Sequence, residues 1–293
     1  MGQTIVLTGI VLSAIPVGEY DRRITLLTKE RGKVAAFARG ARRPGSQLMA
    51  AGSPFSFGQF EAYEGRSSYT VVKADISHYF QKLAADLDRA YFGFYFLEMA
   101  DYYARENADE IHMLKLLYRS LQALESQKFD CRLVRRVFEL KAMAINGEGP
   151  NVFSCLECGS EQGLQWFRVE SGGTLCASCG GRAGGAPGKT NGRGTFELGE
   201  SVLYAMQFIL SARIEKLYSF ALTEPVLESL GQILDVYMGH YLDRKFHALE
   251  VLKENEGFAA SVINYPRKSN QQLQSKPGKG IISKEVKMMG YEV

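Results

Sequence analysis

From Thr4 to about Tyr79 the pattern is of short β-rich runs broken by turn residues, and after Phe80 the period changes. Thr4–Ile15 is one β-rich run, ended by Pro16 and Gly18. Arg22–Thr28 and Lys33–Arg39 follow, joined by Lys29-Glu30-Arg31-Gly32, a hairpin signal. Pro54–Tyr63 and Ser68–Ser77 complete the set, separated by Glu64-Gly65-Arg66. Five short strands with no room for crossover helices predict a small antiparallel barrel, and the OB-fold is the common five-stranded barrel of this size.

Beyond Phe80 the spacing becomes helical. Leu87, Tyr91, Phe94, Tyr95, Glu98 and Tyr102 recur at i, i+3/i+4, as do Ile111, Leu114, Tyr118, Leu121 and Leu124. A third helix is expected from Asp130, as N-cap, through Leu133, Val137, Leu140 and Ala144 to Gly147. Two more are expected at about 199–211 and 224–241. Between the third helix and these two stand four cysteines in two pairs and a glycine-rich loop over 183–194. The resulting expectation is an α+β multidomain chain. An OB-fold barrel occupies 1–80, a helical domain occupies 81–253 with a cysteine module inserted at about 152–182, and 254–293 forms a mobile basic tail.

The cysteine spacing carries chemistry. Cys155/Cys158 and Cys176/Cys179 are two C-x₂-C pairs with seventeen residues between them, the pattern of a tetrahedral Zn²⁺ site. Each tight turn presents two thiolates, and a glycine after each pair (Gly159, Gly180) lets the backbone fold back. Four protein ligands leave no open position, so a single structural zinc is expected rather than a catalytic one. The rival reading, two disulfides or a redox-active pair, lacks the secretory context that disulfides need.

Charge changes the picture at the ends of the chain. The formal net charge is only +3, but residues 1–80 carry ten Lys/Arg against six Asp/Glu, and 253–293 carry seven against four. The middle is mildly acidic, which suggests a polyanion partner for the ends and protein partners for the middle. Within 22–43 lie Arg22, Arg23, Lys29, Arg31, Lys33, Arg39, Arg42 and Arg43, opposed only by Glu30. Strand alternation displays Lys33, Phe37 and Arg39 on one face. Cations around an aromatic ring suit single-stranded nucleic acid, whose phosphates meet the cations while a base stacks on the ring. The alternative, left open by the sequence, is that Phe37 points inward and the charges form a solvated rim.

Other candidates are weaker. Ile5–Val17 imitates a signal-peptide core but has no positive residue before it and no convincing cleavage pattern, and Val6 stands where myristoylation requires Ser or Thr. No run of about 18 apolar residues predicts a membrane span. Gly188-Lys189-Thr190 resembles the end of a P-loop, yet Ala183 replaces the required glycine and no strand precedes it. His78, His112, His240 and His247 are scattered, Cys131 reads as an idle thiol, and the aromatic stripe over 91–103 reads as core. Nothing points to an enzyme. A cytoplasmic, nucleic-acid-binding protein is expected.

Two stretches in this order resemble the RecO family of bacterial DNA repair proteins. The first runs Tyr20-Asp21-Arg22-Arg23-Ile24-Thr25-Leu26-Leu27-Thr28 and then Lys33-Val34-Ala35-Ala36-Phe37-Ala38-Arg39-Gly40-Ala41-Arg42-Arg43-Pro44. The second runs Phe138-Glu139-Leu140-Lys141 to Pro150-Asn151 and into Cys155-Leu156-Glu157-Cys158-Gly159. The resemblance covers about 4–250 and implies a recombination mediator. Such a protein binds single- and double-stranded DNA through its barrel and anneals strands coated by single-strand-binding protein. It docks that protein's C-terminal peptide on the helical domain, and with RecR it assists RecA loading near the bacterial nucleoid. DNA contacts are then expected at Arg22, Arg23, Lys33, Phe37, Arg39, Arg42 and Arg43. A zinc-containing OB adaptor that binds RNA or protein in translation or transcription is the alternative.

Overall fold

Strands set the first quarter of the molecule. In the computed structural model, which describes residues 4–66, 68–182 and 194–254, five strands close into a barrel in the order β1-β2-β3-β5-β4. They are β1 (Thr4–Val17), β2 (Asp21–Thr28), β3 (Gly32–Ala38), β4 (Phe57–Glu64) and β5 (Tyr69–His78). All neighbours run antiparallel except β3 and β5, whose short parallel pairing closes the barrel. Leu7, Val11, Ile24, Leu26, Val34, Ala36, Phe60 and Val71 fill its interior. This is the OB-type barrel that the β-rich runs predict. Pro16 does not end β1, which continues to Val17. Past Ile10, β1 pairs with β2 alone, so a proline with no N–H is accommodated on a free edge.

The helices are α1 (Gln81–Ala85), α2 (Leu87–Tyr103), α3 (Ile111–Glu125) and α4 (Cys131–Ile145), then α5 (Ala177–Arg182), α6 (Glu200–Ser211) and α7 (Glu224–Tyr241). Asp130 caps α4 as expected, its side chain accepting from the Arg132 amide. The barrel's outer wall contributes Ile10, Leu12 and Leu27 to the same apolar core as Tyr95, Phe96, Phe138 and Tyr237 of the helices. The β2–β3 hairpin fixes this docking. Gly32 sits at φ +62°, where a Cβ would come within 2.4 Å of the Arg105 carbonyl. The Lys33 amide donates to that carbonyl and the Asn107 amide to the Arg31 carbonyl, each at 2.9 Å.

A buried ion cluster ties three helices together. Glu139 on α4 is fully buried. It accepts from Tyr95 Oη of α2 at 2.8 Å, Arg135 Nε at 2.7 Å and Arg136 Nη1 at 2.9 Å. Both arginines also reach Asp235 on α7. Lys141, two residues further along α4, donates to the Leu210 and Ala212 carbonyls at the end of α6, each at 2.8 Å, a favourable place for a cation. The Arg135–Lys141 stretch thus ties α4 to α2, α6 and α7.

The cysteine segment contains a sheet that periodicity does not show: β6 (Leu164–Arg168), β7 (Gly173–Cys176) and β8 (Thr195–Glu197), in the order β7-β6-β8. Strands of three to five residues are too short to express an alternation. The glycine-rich loop with its P-loop-like Gly188-Lys189-Thr190 falls at 183–193, outside the described residues, as does the expected tail beyond Glu254.

Candidate nucleic-acid interface and metal centre

Two turns at one end of the barrel are stitched together. The Gly40 amide donates to Asp21 Oδ1 at 2.7 Å, the Arg42 amide to the Tyr20 carbonyl at 2.9 Å, and Arg42 Nη1 to the Gly18 carbonyl at 3.1 Å. Gly40, at φ +68°, makes the bend that starts this loop. The Arg43 guanidinium lies 4.8 Å above the Tyr20 ring. Arg39, Arg42 and Arg43 are all exposed around this corner.

Arg23 and Phe37 stand opposite each other on β2 and β3. Arg23 is exposed and Phe37 half-buried on the outer wall, so the inward reading of Phe37 does not hold. Thr70 on β5 follows in register, and Tyr63 on β4 after it. Among the described residues, Arg23, Arg39, Arg42 and Arg43 form no ion pair with a carboxylate. Tyr20, under Arg43, and Tyr63, two strands beyond Phe37, are exposed and were not among the residues expected here. Tyr63 is legible from alternation, because Phe60 and Ala62 face inward.

Arg22 and Lys33 do not join this surface. Adjacent strand residues point to opposite faces, so Arg22 turns to the inner side of the wall. There its guanidinium donates to the Gly52 carbonyl beneath the barrel's end. Lys33 is spent on the helical side: its Nζ donates to the Asp101 carbonyl at 2.7 Å and pairs with Asp101 Oδ1 at 3.3 Å. The expected Lys33–Phe37–Arg39 display is therefore reduced to Phe37 and Arg39, with Arg23 added from the neighbouring strand.

The four cysteines converge. Cys155, Cys158, Cys176 and Cys179 place their sulfurs within 4.8 Å of one another. Cys158 and Cys176 are 3.7 Å apart. Bonds of about 2.3 Å to a tetrahedral ion put ligand sulfurs roughly 3.8 Å apart, so the cluster could hold one metal ion, and its donor set is consistent with zinc. Burial pushes the Cys155 thiol up, but donation from the Cys158, Cys176 and Glu157 amides overcomes this and lowers it to about 6. Gly159 makes its turn at φ +74°. Gly180 serves differently from the expectation: a Cβ there would fall 2.0 Å from Trp166 Cδ1, so its role is to let the indole cover the site. Cys131 stands apart, half-buried at the start of α4, where burial pushes its thiol up; the helix N-terminus does not activate it.

Comparison with known proteins decides the family. The chain matches the model described as recombination protein O N terminal over residues 1–80 and that described as recombination protein O C terminal over 84–250. The chain belongs to the RecO family of DNA repair proteins. It is 33% identical over 257 residues to the DNA repair protein RecO of Anaeromyxobacter sp. (strain K), covering 85% of this chain and 95% of that one. Identity to the RecO of Alkaliphilus metalliredigens is 31% over 250 residues, covering 84% and 97%. For that of Acetivibrio thermocellus it is 30% over 247 residues, covering 84% and 95%. The matched stretches contain both the barrel corner and the four cysteines. No helix among the described residues is long and apolar enough to cross a membrane.

Proposed function

We propose that this chain is a recombination mediator. It binds single- and double-stranded DNA on the barrel, anneals strands coated with single-strand-binding protein, and with RecR assists RecA loading, in the bacterial cytoplasm. The observation that carries this reading is the barrel corner, where four cations, none paired with a carboxylate among the described residues, stand around exposed Tyr20 and half-buried Phe37 on an OB barrel of a RecO-family chain. Such cations neutralise phosphates without reading sequence. Bases left unread by protein are free to pair with a complementary strand. Annealing makes and breaks no covalent bond, so no catalytic group is needed.

The helical domain offers a place for the peptide C-terminus of single-strand-binding protein. A cleft of about 270 Å³ between α7 and residues 244–253 is lined by Met238, Leu242 and Phe246, by the cations Arg244, Lys245 and Lys253, and by Asp235 and Glu250, which engage Arg135/Arg136 and Lys245. Apolar side chains would sink into such a cleft while the terminal carboxylate meets the cations. We infer that the bound metal is one structural zinc, held by all four cysteines with no position left for substrate.

The test is the salt dependence of DNA binding. Arg42→Ala/Arg43→Ala should weaken binding to every sequence alike. It should also flatten the slope of log K against log salt by about 0.7 per lost contact on single strands. Lys33→Ala, which loses a bond to α2 rather than to phosphate, should leave that slope unchanged. An unaltered slope in the double variant removes the corner from the binding surface.

A further inference from the structure

We propose that the groove between β1 and α2 receives an unstacked base of single-stranded nucleic acid whose backbone lies on the barrel corner. This rests on the nucleic-acid reading above and assigns that site a second, uncharged component. The groove, about 400 Å³, is lined by Ile15 and Pro54 on the barrel side and by Tyr91 and Phe94 on α2, with Arg244 at its edge.

The groove's aromatic wall is exposed but held in place. Leu87, Tyr91 and Phe94 recur at helical spacing on a face of α2 turned away from its buried face. Leu87 is 69% exposed and Phe94 39%, so part of this apolar face is open to a ligand. Phe94 nevertheless has a fixed backing: its ring centroid lies 4.8 Å from that of Phe55. Phe55 is buried and sits at φ +71°, a region that a bulky side chain adopts at a cost and that concentrates at ligand clamps. A Cβ at position 93 would lie 2.9 Å from the Phe55 ring, so Gly93 is what lets that ring pack under its neighbour.

The groove continues the barrel surface. Ile15 stands opposite Arg23 on β2, and Arg23 opposite Phe37 on β3. Two strand spacings, about 10 Å, separate Phe37 from Ile15. A strand whose phosphates meet Arg23 can therefore place a base against Phe37 on one side and in the groove on the other. The carboxylates near the groove are already engaged. Asp101 faces Lys33 at 3.3 Å and Arg244 at 3.9 Å, and Glu98 accepts the Ala248 amide at 3.3 Å. Arg244, 3.9 Å from Asp101 and 46% exposed, can exchange that loose contact for a neighbouring phosphate. Every base offers a flat apolar face, so such a site takes bases without regard to sequence. A base stacked inside a duplex cannot enter it.

Phe94→Ala tests this, read by fluorescence anisotropy with a labelled oligothymidylate and with a duplex of equal length across a salt series. Because Phe94 packs on Phe55, the urea midpoint of the variant is measured alongside, and duplex affinity serves as the internal control for a native protein. Single-strand affinity should fall by about tenfold, the loss of one stacked base, with the salt slope and duplex affinity unchanged, and Phe94→Trp should restore it. Parent-like single-strand affinity in Phe94→Ala overturns the proposal, as does an equal loss on the duplex. A change in oligomeric state with DNA affinity preserved also overturns it and assigns the groove to a protein contact. If the unaltered protein binds no DNA, the mediator reading falls as well. If Arg42→Ala/Arg43→Ala flattens the slope while Phe94→Ala does nothing, only the groove proposal falls.

Discussion

Glu139→Ala is expected to lower folding stability by about 3–5 kcal/mol, the cost of breaking a buried ion pair by removing one partner. The side chain is fully buried between two guanidinium groups and the Tyr95 hydroxyl. Without it, Arg135 and Arg136 face one another across α4 with Asp235, a partly exposed group on α7, as their remaining counter-charge. Tyr95 Oη loses its acceptor as well. Three helices meet at this carboxylate, so the loss should appear as a lower urea midpoint for the whole helical region. Burial pushes Glu139 and Asp235 up, but the arginines overcome it and hold both below the ordinary carboxylate range. Their folded values lie below the unfolded ones. Their contribution is therefore complete above about pH 4, the unfolded carboxylate range, and is lost as pH falls through the lowered values. The penalty of Glu139→Ala should accordingly shrink in acid. A midpoint shift worth less than about 1 kcal/mol at pH 7 would show that the cluster contributes little beyond a surface ion pair.

Removing the metal is expected to unfold the cysteine module while sparing the barrel. The module's own core is small: Leu164, Trp166 and Leu175 packed with Cys155, Cys176 and Cys179. A unit of about thirty residues cannot bury enough apolar surface to fold without a staple, and metal binding supplies folding free energy directly. Trp166 is the chain's single tryptophan and lies against the site, so its emission reports this region alone. Chelation, or Cys176→Ser, should shift that emission to the red and reduce bound zinc from one per chain to none. The variant should also be less soluble. Unchanged emission after complete loss of metal would show that the fold of the module does not depend on the ion.

Much of this architecture is readable because it depends on local patterns. The strands β3 and β4 have a buried face of period two, and Asp130 marks the start of α4 chemically. The cysteine spacing expresses the geometry of a tetrahedral ion. What escapes depends on contacts between distant segments. Lys33 reads as a surface cation until the hairpin is docked on α2, sixty-eight residues away in sequence. The Arg135–Asp235 contact spans one hundred residues, so the Phe138–Lys141 stretch could be noticed but not explained. The short strands β6, β7 and β8 carry no period of their own, being fixed by the cysteine turns and by Trp166. Arg22 is a different case. Alternation alone forbids Arg22 and Arg23 from sharing a face, and counting charges along the chain obscures it.

Annealing of complementary DNA strands pre-coated with single-strand-binding protein, measured with and without this chain, tests mediation most directly. A mediator accelerates the reaction, and Arg42→Ala/Arg43→Ala abolishes the acceleration while the protein remains folded. A native, metal-loaded protein that leaves both the coat and the annealing rate unchanged would contradict mediation.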